Sequence, residues 1–239
     1  MSIYACSDLH GRLDLYHAIN NWLKEDDKVI FAGDAIDRGP FCLATSLAIL
    51  ENPQWVYLKG NHEDLMLKAF DNKDFSLWFY NGGDKTFYDI KEKWGEPTAF
   101  YLSEIRRLPT WYYHESPQGD SIVVCHAGFT PDHMPSEHEL LWDRDHLLES
   151  WPTESKFHHD IGASAEKTFI VHGHTPVQSL FETNVIPEVF WYNARHQADI
   201  DLGSMWSDRA ALLNLDTLNG NYCVPDVHYF TPQGEVKNA

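Results

Sequence analysis

Five short apolar runs in this chain each end in a turn rich in Asp, His or Asn. IYAC runs into SDLHG (7–11), KVIFA into GDAIDRG (33–39) and WVYLK into GNHED (60–64). SIVV runs into CHAG (125–128), and TFIV into HGHTP (172–176). Continuous apolar runs of this length, bounded by glycine turns, read as strands covered on both faces. Helical patterns follow the first three. Leu13, Tyr16, Ile19 and Leu23 recur at spacings of three and four, FCLATSLAILEN (41–52) is stopped by Pro53, and EDLMLKAF (63–70) follows GNH. Strand–helix alternation predicts a layered α/β fold with a partly parallel sheet. Sites in open α/β sheets assemble outside the carboxyl ends of strands, so the five turns are expected to meet at one sheet edge.

Residues 70–108 read as a helical insertion and a candidate cleft wall. They carry Phe70, Phe75, Trp78, Phe79, Tyr80, Phe87, Tyr88, Trp94, Phe100 and Tyr101, with NGG (81–83) as a break. Periodic aromatics of this kind also serve as ordinary helical core. From about residue 177 the chain turns β-rich, through QSLFE, EVFWY, ADID, AALLNL and NYCV. No repeat, low-complexity tract or linker divides it, which predicts one domain over 1–239.

Charge narrows the function. Thirty-six acids against 18 bases give a net charge of −18 over 239 residues. The basic footprint of a nucleic-acid binder is missing, and an anionic substrate meets a repelling field. A site for anions therefore needs strong local positive charge, which bound cations supply. Cys6, Cys42, Cys125 and Cys223 form no CxxC pair and read as free thiols of a reducing compartment. No apolar run reaches transmembrane length. With chemistry expected already at residue 8 there is no room for a signal peptide, so a cytoplasmic protein without a membrane partner is expected.

The donor types in the five turns suit hard or borderline divalent metals. Asp8 and His10 stand two apart, so an extended backbone points both the same way. The two oxygens of Asp34 can bridge a pair of ions. Asn61 offers a carbonyl oxygen, and His126 and His174 offer imidazole nitrogens.

Taken together, DLHG, GDAIDRG, GNHE, HAG and GHTP resemble the calcineurin-like metallophosphoesterase superfamily. More narrowly they resemble its bacterial and phage phosphoprotein-phosphatase branch, the serine/threonine phosphatase-like enzymes. LLWDRD (140–145) resembles that branch's W-x-R stretch, and DIDLGS (199–204) its following strand and turn. The resemblance implies a four-layer α/β/β/α sandwich with mixed sheets. It implies two divalent ions, Mn²⁺ foremost with Fe or Zn²⁺ also suited. One would be held by Asp8, His10 and Asp34, the other by Asp34, Asn61, His126 and His174. Asp37 would orient His62 as the proton donor, and Arg38 and Arg144 would clamp phosphate oxygens. The implied reaction is phosphomonoester hydrolysis on phosphoserine, phosphothreonine or phosphotyrosine proteins, by in-line attack of a metal-bridging hydroxide. The alternatives are a dinucleoside polyphosphate (Ap4A-type) hydrolase and a non-catalytic metal-binding module.

Several residues invite a second reading. His172 has the same gap to a neighbouring histidine as in a GHxH block, and stands as a second ligand beside the favoured His174. Asn81, within NGG and upstream of Thr86, is either a turn residue or part of a substrate loop. Asp143 is placed to ion-pair with Arg144 and make it structural. His158, His159 and Asp160 read as a solvated loop, and His133, His138 and His146 as surface residues. His17, His114, His196 and His228 read as structural or exposed.

Overall fold

Side chains alternate across a strand, and here each alternation separates two cores. In Ile3–Cys6 (β1), Tyr4 and Cys6 face helices while Ile3 and Ala5 face a second sheet. In Lys28–Phe31 (β2), Val29 and Phe31 take the helix side and Ile30 the other. In Ser121–Cys125 (β5), Ile122 and Val124 meet Ile30 and Ala5 between the sheets, while Val123 and Cys125 pack outward on Phe129, Leu140 and Phe157. Each fully buried aliphatic side chain contributes about 1.5–3 kcal/mol. Apolar residues on both strand faces thus require cover on both faces, and the result is four layers, α/β/β/α. The computed structural model describes residues 1–95, 99–180, 186–219 and 225–236.

The first sheet adds Trp55–Tyr57 (β3) beside β2. On the other side of β1 lie Ala210–Asn214 (β9), Val227–Thr231 (β10) and Gly234–Val236 (β11), in the order β11-β10-β9-β1-β2-β3. β1, β2 and β3 run parallel, with Ile3 opposite Lys28 and Val29 opposite Trp55. The second sheet comprises Trp111–Glu115 (β4), β5, Thr168–His172 (β6), Phe190–Tyr192 (β7) and Gln197–Asp199 (β8), in the order β4-β5-β6-β8-β7. Its middle strands β5, β6 and β8 are parallel and its edges antiparallel.

Leu13–Trp22 (α1), Cys42–Glu51 (α2), Asn61–Asn72 (α3), Ser76–Tyr80 (α4), Asp84–Trp94 (α5) and Ala99–Arg106 (α6) precede the second sheet. Buried residues of all six join the core on the outer face of the first sheet. Glu137–Trp142 (α7) and Lys156–Ile161 (α8) cover the second sheet through Leu140 and Phe157. Ser204–Ser207 (α9) follows β8. Among the described residues no helix is long and apolar enough to cross a membrane.

Some sequence expectations need correction. Val177–Leu180 is a 3-10 turn, not the start of a QSLFE strand. NYCV, with Cys223, lies outside the described residues. His158 is not in a solvated loop: it sits on α8 beside Phe157, buried against the Trp151 ring, while His159 is exposed. His146 is no surface residue but fully buried, because its ring fills a gap left by Gly128. His133 and His138 are exposed, as is His17. His114 pairs with Asp216, His196 stacks on Trp151, and His228 pairs with Glu235.

Candidate active site

The parallel strands β1, β2, β3, β5 and β6 all deliver their carboxyl-end turns to one edge. There the turns lock together through the backbone: Asp8 N donates to Gly33 O (3.1 Å), His10 N to Asp34 O (2.9 Å) and Gly173 N to His126 O (2.8 Å). Asp8, His10, Asp34, Asp37, Arg38 and His174 all have φ between 43° and 71°. This left-handed region is costly for residues with a side chain and persists where surroundings over-determine it. Two glycines let the carboxylates come close. A Cβ on Gly60 would lie 2.1 Å from Asp34 Oδ1, and one on Gly173 2.0 Å from Asp8 Oδ2.

The turns bring lone pairs face to face. His126 donates Nδ1–H to Ala32 O (2.8 Å), which leaves Nε2 without a proton. That Nε2 lies 2.8 Å from Asn61 Oδ1 and 3.5 Å from Asp34 Oδ1. His174 turns Nδ1 to within 3.2 Å of both Asn61 Oδ1 and His126 Nε2. On the other side His10 donates Nδ1–H to Ile36 O (2.8 Å), so its bare Nε2 faces Asp34 Oδ2 at 3.7 Å and Asp8 Oδ1 at 3.9 Å. The bare His126 Nε2 facing a carbonyl and a carboxylate oxygen at these distances is what a cation requires, and the N/O donor set fits divalent ions. Asp34 belongs to both clusters of ligand atoms within 4.8 Å, Asp8–Asp34–His126 and His10–Asp34–His62.

Burial sets the charge states. It pushes the Asp8 and Asp34 carboxyls well above the carboxylate range, helped by Asp201 and Glu63 respectively. It pushes His10, His62 and His174 well below the ordinary imidazole value, and His126 down to about 3. The histidines are therefore neutral, the form that ligates metal.

Beside the clusters, Arg38 donates Nη1–H to His10 Nε2 (2.7 Å) and Nη2–H to His62 Nε2 (2.8 Å). His62 donates Nδ1–H to Asp37 Oδ2 (2.7 Å). Asp37 also accepts from Trp78 Nε1 (2.8 Å) and Thr86 Oγ1 (2.5 Å). Burial raises the Asp37 carboxyl to about 7, and those two donors oppose the rise. Arg144 is exposed and lines a cavity of about 510 Å³ with Trp142 and Asp143. Its charge helps to lower His126 and His174.

The six expected ligands thus converge, with His62, Asp37 and Arg38 alongside and Arg144 at the rim. His172 does not join them: its Nδ1 lies 3.0 Å from Gly173 O and its Nε2 2.6 Å from the Tyr192 hydroxyl. Asn81 spends its amide on Leu77 O, and it is Gly82 O that accepts Arg38 N–H. Asp143 serves His146 and the Asp145 amide rather than Arg144.

Sequence reasoning passed over Glu63 and Asp201, and read Trp78 as a cleft-wall aromatic and Thr86 as a neighbour of the NGG stretch rather than as partners of Asp37. Fully buried Glu63 accepts from Asp34 N, Ala35 N, Gly60 N and Tyr57 OH, tying the GDAID turn to the GNHE turn. Its signal was available, a Glu three residues after the glycine that opens α3. Trp78 and Thr86 act across long sequence separations, where no local pattern marks them. Buried Asp201 accepts from Gly203 N and raises Asp8.

The calcineurin-like phosphoesterase pattern matches residues 1–202, and the chain belongs to that family. It is a metallophosphoesterase, a hydrolase of phosphoric esters whose family binds a pair of divalent cations. Over 157 residues, 62% of this chain and 70% of the relative, it is 32% identical to Serine/threonine-protein phosphatase 2 of Salmonella typhimurium. Over 196 residues, 72% of this chain and 76% of the relative, it is 26% identical to Bis(5'-nucleosyl)-tetraphosphatase PrpE of Bacillus velezensis. The fold resembles a protein serine/threonine phosphatase from Saccharomyces cerevisiae, with a TM-score of 0.59 at 16% identity. That match covers 95% of this chain and 79% of that one.

Proposed function

We propose that the protein is a metal-dependent phosphomonoesterase acting on phosphoserine or phosphothreonine proteins, and also on phosphotyrosine. One observation carries the reading: His62, oriented by Asp37, presents Nε2 to the guanidinium of Arg38 at the edge of the metal-ligand cluster. A monoester's alkoxide is a poor leaving group and needs a proton; this pair supplies one beside a phosphate-binding arginine.

In this reading Asp8, His10 and Asp34 would hold one cation, and Asp34, Asn61, His126 and His174 the other; Mn²⁺ is the first choice, with Fe and Zn²⁺ also suited to such O/N donors. When bound, the two ions supply Lewis acidity and lower the pKa of water for in-line attack on phosphorus. Arg38 and Arg144 grip the phosphate oxygens. Arg38 helps to keep His62 neutral in the free site. A phosphate dianion bound to Arg38 offsets that charge and favours the imidazolium, whose Nε2–H then protonates the leaving oxygen. Asp37 holds the Nδ1 proton in place throughout. The thiols take no part: burial raises Cys42 and Cys125 to about 12. Cys6, Cys42 and Cys125 are buried and unpaired, which supports a cytoplasmic setting. Residues from both ends of the chain share the inter-sheet core, which supports the one-domain reading.

The likeness to a tetraphosphatase favours a second reading, hydrolysis of a dinucleoside polyphosphate. A Mn²⁺-supplemented panel of phosphopeptides, p-nitrophenyl phosphate, a p-nitrophenyl phosphodiester and diadenosine tetraphosphate separates the two. Phosphopeptides are expected to be the better substrates by kcat/KM. Nucleotide turnover far ahead of the peptides would replace the first reading by the second.

A further inference from the structure

The segment that carries Arg144 is mostly exposed: Arg144, Asp145, Leu148 and Glu149 all face solvent. Among the described residues no ion pair or hydrogen bond restrains the Arg144 guanidinium, so what the fold can order in advance is the backbone that carries it. One residue of the segment is driven into the interior, His146, with no exposed surface at all.

His146 is held from two sides. Its ring lies over Gly128 of the HAG turn, where a Cβ would come within 2.7 Å of His146 Nε2 and 3.0 Å of His172 Cδ2. The ring also stands edge-on to His172 at 4.9 Å, and His172 in turn meets the Tyr192 hydroxyl. The wedge thus sits between the turns that carry His126 and His174. From the other side, Asp143 Oδ2 accepts from His146 Nδ1 (3.1 Å) and His146 N (3.4 Å), while Asp143 Oδ1 accepts from Asp145 N (3.0 Å). This clip closes a turn with Arg144 inside it, and Leu147 N–H donates to Arg144 O (3.3 Å).

We infer that His146 is a positioning residue for phosphate recognition, the buried anchor that fixes the turn presenting Arg144 at the rim of the active site. The inference rests on the phosphatase reading, in which Arg144 grips a phosphate oxygen. His146 itself touches no substrate. Its contribution is to spare Arg144 the ordering cost that an otherwise exposed loop would incur on binding.

The test titrates Mn²⁺-loaded protein with inorganic phosphate by calorimetry and follows p-nitrophenyl phosphate turnover. His146→Leu is expected to weaken phosphate about tenfold and raise KM to match, with kcat within about threefold, the signature of lost binding rather than lost chemistry. His146→Asn, whose amide can donate to Asp143 in place of Nδ1, is expected to restore most of the affinity. On an Arg144→Ala background, His146→Leu is expected to add less than about twofold, because both changes remove one interaction. Equal weakening with and without Arg144 would mean general loosening and would overturn the inference. If His146→Leu fails to fold, Asp143→Asn enters the same cycle with the same expectation. Wild-type protein that binds no phosphate would overturn the function reading along with this one. Phosphate binding that survives His146→Leu unchanged would overturn this one alone.

Discussion

His62 and Asp37 are where the proposed chemistry is decided, side chain by side chain. Both are buried, and the hydrogen bond between them fixes the tautomer of His62 and the orientation of both. Replacing His62 by Asn keeps an amide near Asp37 but removes the titrating group. The expected result is a loss of ~10²–10⁴ in kcat on phosphomonoesters, with bound Mn²⁺ unchanged by elemental analysis. A phosphoanhydride, whose leaving group is already acidic, should lose far less, so a uniform loss on both would argue against His62 as proton donor. The identities of these residues were legible in the sequence, because Asp, His and Asn placed directly after apolar runs have few other uses. Their left-handed backbones were not. Positive φ at Asp8, His10, Asp34, Asp37, Arg38 and His174 is imposed by the interlocking of turns far apart in sequence, and no dipeptide signal encodes it.

At the level of elements, the helices of residues 70–108 serve the site from behind. Phe70, Phe75, Trp78, Phe79 and Phe87 form one cluster of rings, with centroids 5.2 to 6.4 Å apart, so the aromatic pattern is in large part core. Two helices also reach out of that cluster to Asp37: α4 through the Trp78 indole and α5 through the Thr86 hydroxyl. Trp78→Phe keeps most of the packing and removes one donor from a buried carboxylate. Such a loss costs about 1–3 kcal/mol, read as a lower urea midpoint, and it should raise the Asp37 pKa further. The acid limb of the kcat profile is then expected to move to higher pH. Thr86→Ser, which keeps its donor, should leave that limb in place. Helicity here followed from spacing alone, whereas the tie to Asp37 joins residues 41 and 49 positions apart. Strand β4, which the sequence reading did not predict, was hidden for a different reason. β4 is half exposed and alternates polar with apolar residues too irregularly to stand out.

Over the whole molecule, a net charge of −18 is concentrated inward as well as outward. Asp8, Asp34, Glu63, Asp199 and Asp201 are all buried near one sheet edge, and burial raises every one of them, Asp201 to about 6. Cations at this edge offset that repulsion, so the protein's stability should depend on them. With Mn²⁺ about a hundredfold above Kd, each site adds about 2.7 kcal/mol. At about 2–4 °C per kcal/mol for a chain this size, two sites raise Tm by about 10–20 °C over chelator-treated protein. The sign of the pH dependence follows from linkage. Above about pH 7.5, a unit beyond the ordinary imidazole value, the lowered histidines are neutral folded and unfolded, and drop out. Asp8, Asp34 and Asp199, the carboxyls raised furthest, bind protons more tightly in the folded state than in the unfolded chain, so rising pH destabilises the metal-free protein. Below that pH the histidines oppose the trend, since the unfolded chain protonates them first. Calorimetric scans from about pH 7.5 to 9 should show Tm falling in chelator and nearly flat in Mn²⁺. A metal-free Tm that did not fall over this range would mean the carboxyls are already ionised in the fold, held by arginines rather than waiting for cations.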